Sequence, residues 1–124
     1  AALALSDGAP VQVCEGLSFA DTQVVALFRS VFCAARFPDL LAHLEQTQSV
    51  TAALKLSGVS DYTRASTRIN AKLASATQAL HLRVTEGAPI LRTISINVDQ
   101  YGAPLEFGRT WFAGDRVTLT LGDD

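Results

Sequence analysis

Eight side chains in this sequence have the types and spacing to hold a small ligand, and they fall into three sets. Ser49 and Thr51 flank Val50 at the predicted start of a helix. Unpaired backbone N–H groups and the helix dipole favour an anion there, and two hydroxyls at alternate positions add donors. The same serine also reads as a plain N-cap. Arg64, Ser66 and Arg68 stand at alternate positions of a predicted strand. A period of two places them on one face, so that two guanidinium groups flank a hydroxyl over ~13 Å. A solvated face of an edge strand gives the same pattern. Glu106, Gly108, Thr110 and Phe112 also share a strand face. A carboxylate, a hydroxyl and an aromatic ring aligned with a small residue make a pocket wall.

Catalytic sets are not found. His43 and His81 lie on separate predicted helices, with no Ser, Cys or carboxylate arranged as a nucleophile motif around either, and read as surface or structural residues. The sequence has no CxxC, no HExxH, no acidic cluster with metal-ligand spacing and no glycine-rich phosphate loop. Binding is therefore expected rather than catalysis, with no metal and no cofactor.

The elements that would position these residues are strand-rich. Val11, Val13, Leu17 and Phe19 alternate as in a half-buried strand, and Val24 to Phe32 returns after a turn at Ala20–Gln23. Leu40, Leu41 and Leu44 predict a helix to about Gln46, and Val50, Ala53 and Leu54 a second that ends at Gly58. Tyr62 to Ala74 is the longest strand expected. Ser75 caps a short helix through Leu82, and Ile90–Val98 and Pro104–Phe112 form a second hairpin around Asp99–Gly102. A closing strand is expected over Val117–Leu121, and a helix over Ala1–Leu5. The pattern is α+β with a largely antiparallel sheet and flanking helices.

The two hairpins are one motif written twice. Asp7-Gly8-Ala9-Pro10-Val11 returns as Glu86-Gly87-Ala88-Pro89-Ile90, 79 positions later. Arg29, Phe32 and Arg36 return as Arg109, Phe112 and Arg116, 80 positions later, so the turns differ by one net residue. A lone two-stranded unit cannot bury its apolar face, so one sheet with approximate two-fold symmetry is expected. Glu106 falls on Ala26 in the first copy. The carboxylate is thus no demand of the fold.

The chain of 124 residues is long enough for one domain with its own core. Ten basic against twelve acidic residues give no electrostatic footprint for nucleic acid. No apolar run approaches the ~18 residues of a membrane span. Cys14 and Cys33 are expected as free thiols of a reducing compartment. The lack of Met and the start inside an apolar helical stretch lead us to expect a piece of a longer protein.

The run Gly87-Ala88-Pro89, Val98-Asp99, Gly102-Ala103-Pro104-Leu105-Glu106-Phe107, Phe112-Ala113-Gly114-Asp115-Arg116 closely resembles the end of the UTRA domain. UTRA is the effector-sensing half of the GntR/HutC class of bacterial transcription repressors. Ser49 to Leu54, with Tyr62 to Ala71, resembles the phosphonate-utilisation branch of that class. The likeness covers nearly the whole of residues 1–124. It implies a chorismate-lyase-like α+β fold, a cytoplasmic homodimer, and a winged-helix DNA-binding domain upstream, through which alone DNA would be contacted. It also implies an effector pocket lined by Ser49, Glu106 and Phe112. Sensors of amino-sugar phosphates in this class carry Arg where this chain has Gly16 and Ser18, and Tyr where it has Phe112. The expected effector is small and anionic, phosphonate- or phosphate-like, with Arg64 and Arg68 supplying the positive charge. Two alternatives stay open: an enzyme with chorismate-lyase architecture, which pyruvate release from chorismate would reveal, and an effector-free dimerisation scaffold.

Overall fold

Each hairpin turns where a residue accepts positive φ: Asp21 (φ 55°) in the first and Gly102 (φ 81°) in the second. The computed structural model describes Leu3, Leu5 and residues 8–120. In chain order the elements are β1 (Val11–Ala20), β2 (Gln23–Cys33), α1 (Leu40–Thr47), α2 (Val50–Leu56), β3 (Tyr62–Leu73), α3 (Ala76–Leu82), β4 (Pro89–Asp99) and β5 (Pro104–Ala113). The strands form one sheet in the order β1-β2-β5-β4-β3, and every neighbouring pair is antiparallel. This is the expected α+β class.

The repeat is visible in the register. Arg29 pairs with Arg109, its own counterpart, in the central β2/β5 ladder. A local two-fold axis therefore passes through that pair, perpendicular to the sheet. The symmetry reaches the irregularities. Val25 is skipped between the Ser18–Ala26 and Phe19–Val24 pairs, and its counterpart Leu105 between Asn97–Glu106 and Val98–Pro104. Ala34 N–H donates to Pro10 O at 3.1 Å, and Gly114 N–H to Pro89 O at 3.3 Å.

Two helical layers cover opposite ends of opposite faces. On one face α1 and α2 close over Phe32, Phe37, Leu40, Ala53, Leu54 and Leu105. On the other, Ala79 and Leu82 of α3 pack on Val24, Ala74 and Ile90, with Leu17, Leu27 and Trp111 beside them. Ser49 and Ser75 cap α2 and α3, and Ser75 forms a full capping box with Gln78.

The second hairpin's turn is held by Asp99. Its Oδ1 accepts from Tyr101 N–H at 2.9 Å and Ala103 N–H at 3.0 Å, and its Oδ2 from Arg36 Nη2 at 2.6 Å. The Arg36 hydrogen bond, aided by the two backbone donors, holds this carboxyl below the usual carboxylate range. A depressed acid stabilises the fold above its unfolded pKa, about 4, and that contribution is lost as the pH falls through the folded value. Asp99→Asn should therefore flatten the acid limb of the stability-versus-pH curve below about pH 4, relative to wild type. Urea midpoints collected between neutral and acid pH read this directly, and parallel limbs would exclude it.

Two expectations change. Val117–Thr120 forms no strand. β5 already lies between β2 and β4, so both of its own sides are taken and the chain leaving it has no free edge beside it, whatever its β-branched composition. Leu121 and most of the expected Ala1–Leu5 helix lie outside the described residues. In β3 the alternation is broken: Arg64 pairs with Asn97 but Ser66 with Ile96, leaving Ala65 as a bulge. Arg64 therefore faces the α1/α2 side, while Ser66 and Arg68 face the α3 side.

Both cysteines are free. Cys14 pairs with Ser30 and Cys33 with Val11, which puts their side chains on opposite faces of one hairpin. No disulfide can join them without backbone movement.

Candidate functional site

The α1/α2 face is built as cross-strand rows. Phe32, Glu106, Asn97 and Arg64 make one row, and Cys14, Ser30, Gly108, Ser95 and Thr67 the next. Beyond these, Thr110 is flanked by Phe28 and Thr93, and Phe112 by Ala26 and Leu91. Hydroxyls and glycine thus floor the centre of the face. A Cβ on Gly108 would approach Ser95 Oγ to 3.4 Å and Ser30 Oγ to 3.8 Å, so the absent side chain leaves the floor low between two hydroxyls.

Glu106 is 9% exposed and Asn97 6%. Asn97 Nδ2 donates to Glu106 Oε1 at 2.8 Å, and Arg64 Nε donates to Asn97 Oδ1 at 2.8 Å. Arg64 Nη1 also donates to Thr67 Oγ1 at 3.2 Å. One amide thus bridges a cation and a carboxylate, and each end fixes the orientation of the next. Glu106 Oε2 accepts no hydrogen bond among the described residues. This oxygen is not among the buried side-chain atoms left without a partner, so it is reached by solvent and open to a donor from water or a ligand. The charge is felt nearby: burial first, then Glu106 and Glu15, pushes the Cys14 thiol above its ordinary pKa.

The other expected residues divide. Thr110 and Phe112 share the face of Glu106, as their spacing predicts. Thr51 Oγ1 lies 2.8 Å from Tyr62 Oη, and Tyr62 stands two residues before Arg64 at the start of β3, joining the helix start to this end of the face. Ser49 Oγ accepts from Ala52 N–H at 3.2 Å, the plain N-cap. Ser66 and Arg68 are not brought to the set. They line a separate surface hollow with Ile94, Ile96 and Phe107 on the α3 face, because the Ala65 bulge shifts the pleat by one residue. Asn97 was missed. Its signal was present in the second hairpin, where counting back from the Asp99 turn places it beside Glu106. His43 Nδ1 lies 3.2 Å from Ser57 Oγ between α1 and α2, away from these rows. Among the described residues, no group of three or more His, Cys, Asp or Glu is placed to hold a metal ion.

A buried, oriented carboxylate thus sits on a hydroxylated sheet floor of an α+β module with helices packed at one end only. The UTRA domain pattern matches residues 1–118, and the chain belongs to that family. It is 36% identical over 120 residues to an uncharacterized HTH-type transcriptional regulator from Rhizobium meliloti (strain 1021), covering 97% of this chain and 49% of that protein. It thus spans about half the length of this curated relative. Among solved structures, PhnF from Mycobacterium smegmatis superposes with a TM-score of 0.88 at 28% identity, over 96% of this chain and 52% of that one. A GntR-family transcriptional regulator from Enterococcus faecalis V583 gives 0.81 at 25% identity, over 98% and 87%. The C-terminal domain of the histidine utilization repressor from Pseudomonas syringae pv. tomato str. DC3000 shares the fold at 0.82 and 21% identity, over 99% and 85%. The UTRA family and its chorismate-lyase-like α+β fold are thus established.

Proposed function

We propose that this domain senses a small effector on its α1/α2 face and passes the result to a DNA-binding domain elsewhere in the protein, without catalysing a reaction. The observation that carries the reading is Glu106, buried and oriented by Asn97, with one oxygen open above a floor of hydroxyls. Effector binding would favour one arrangement of the helices over another, and a transcription repressor would read that population shift as altered operator affinity. The working form is a cytoplasmic homodimer. No helix among the described residues is long and apolar enough to cross a membrane.

The effector is small and carries both signs of charge. Arg64, fixed by Asn97 and Thr67, is the cation this face offers to a phosphonate- or phosphate-like head, with Ser49 and Thr51 at the adjoining helix start. Glu106 takes an amine or hydroxyl donor, and Thr110 and Phe112 complete the wall. Ser66 and Arg68 leave the set, since they point to the other face.

The test is calorimetric titration of 2-aminoethylphosphonate, a probe with both groups, into the wild type and single variants. Glu106→Gln should weaken binding about tenfold or more, since a charge-assisted hydrogen bond is worth roughly 1.5–3 kcal/mol. Arg64→Ala should weaken it similarly, while Arg68→Ala should leave it within about twofold. Loss with Arg68→Ala and none with Arg64→Ala would reverse the assignment of faces to function. Heat release unchanged by Glu106→Gln would end the reading.

A further inference from the structure

The α3 face carries a cavity that the effector reading does not use. It measures about 510 Å³ and lies between α3 and the sheet, with Leu17, Leu27 and Trp111 as apolar walls, Arg29 and Glu15 at the sheet end, and Gln78 and His81 on the helix. That volume falls in the range of small-molecule sites, which are apolar clefts with a few polar groups that set orientation. The Trp111, Leu27 and Leu17 side chains are neighbours in one cross-strand row, so the wall is continuous.

The Arg29 side chain is 43% exposed, so its guanidinium is open to a ligand from the cavity mouth. That guanidinium makes no hydrogen bond among the described residues, and its one acidic contact there is Glu15 at 3.5 Å. That is longer than the 2.7–2.9 Å typical of a charge-assisted bond. Across the ladder it faces Arg109, a like-charge pair of the kind that destabilises a sheet. The Arg109 guanidinium turns away, over the Phe107 ring at 5.2 Å, and its Nε is buried with no partner. One negative group seated at Arg29 would gain charge-assisted bonds and relieve the repulsion together.

We propose that this cavity is a second ligand site, for a monoanionic organic acid with an apolar or aromatic body: the carboxylate on Arg29, the body against Trp111, Leu27 and Leu17. The site lies on the face opposite Glu106 and stands or falls separately from the effector site. Its ligand would bear on α3, the element that joins β3 to β4.

Trp111 is the only tryptophan in the chain, so its fluorescence reports this cavity without labelling. The probe is 4-phenylbutyrate, with 4-phenylbutyramide as its neutral counterpart. The acid should change the Trp111 emission saturably with a Kd no weaker than about 1 mM, and the amide should bind about tenfold or more weakly. Arg29→Gln should weaken the acid tenfold or more and the amide little. Arg68→Ala, which removes a cation from the other half of the same face, should leave both within about twofold. Absence of a saturable change, equal affinity for acid and amide, or equal losses in the two variants would each overturn the assignment. The acid–amide comparison uses wild-type protein alone, so it decides even if Arg29→Gln folds poorly.

Discussion

Arg116→Ala should destabilise the domain by about 2–4 kcal/mol, since a hydrogen bond from a charged donor is worth roughly 1.5–3 kcal/mol and the carbonyls left behind are only partly reached by water. The Arg116 side chain is 16% exposed. Its Nη1 donates to Val24 O at 2.9 Å and Leu82 O at 2.7 Å, and its Nη2 to Arg83 O at 2.9 Å. Two of those carbonyls are at the C-terminus of α3, where intrahelical partners run out and the dipole favours a cation. The third starts β2. One guanidinium therefore ties the end of α3, the first strand of the central pair and the chain leaving β5. Asp115, 3.8 Å away and largely exposed, adds little. Urea denaturation should show a lower midpoint at unchanged slope. Arg116→Lys should recover less than half of the loss, because an ammonium cannot reproduce a fork that serves three carbonyls. A change below about 1 kcal/mol would show that water replaces the guanidinium without penalty.

Phe32→Ala should cost about 3–5 kcal/mol, through a different mechanism. Phe32 is fully buried and meets Phe37 edge to face at a centroid distance of 6.4 Å. It lies where α1 and α2 close on the sheet, beside Leu40, Leu54 and Leu105. Truncation leaves a cavity that two short helices and a strand can collapse into only partly. At this chain length each kcal/mol moves the melting temperature by roughly 3–6 °C, so a fall of about 10–30 °C is expected by calorimetry. Phe32→Leu should lose no more than about 1.5 kcal/mol. The pair of variants separates lost volume from lost ring geometry. Phe32 also neighbours Glu106 in the ladder, so effector binding should weaken in the alanine variant before the fold is lost.

The strands, helices and hairpin duplication were legible because local signals agreed with their tertiary setting. Period-two alternation met a sheet, and Gly, Pro, Ser and Asp stood where turns and caps require them. Two features were not legible, for different reasons. Ala65 bears no mark of a bulge, since the residues around it alternate as smoothly as in any regular strand. The slip arises from how β3 meets β4, and it moved Ser66 and Arg68 to the wrong side. Val117–Thr120 has strand composition but no partner, because the order of strands in the sheet is set by pairings far apart in sequence. The candidate site was half readable. Glu106, Thr110 and Phe112 follow from one strand's period, whereas the Arg64–Asn97–Glu106 chain needs three strands in register.

The axis through Arg29 and Arg109 bears on how many effector molecules one chain can hold. A symmetric dimer of identical hairpins must repeat every site it makes, because each substitution appears on both sides. Here the two copies share one chain and are free to diverge. The mate of Glu106 is Ala26, and the mates of Asn97 and Thr110 are Ser18 and Ser30. The carboxylate and the amide that orients it therefore occur together in one half only. A titration should end at one effector per chain, with the other half of the sheet serving as its mount.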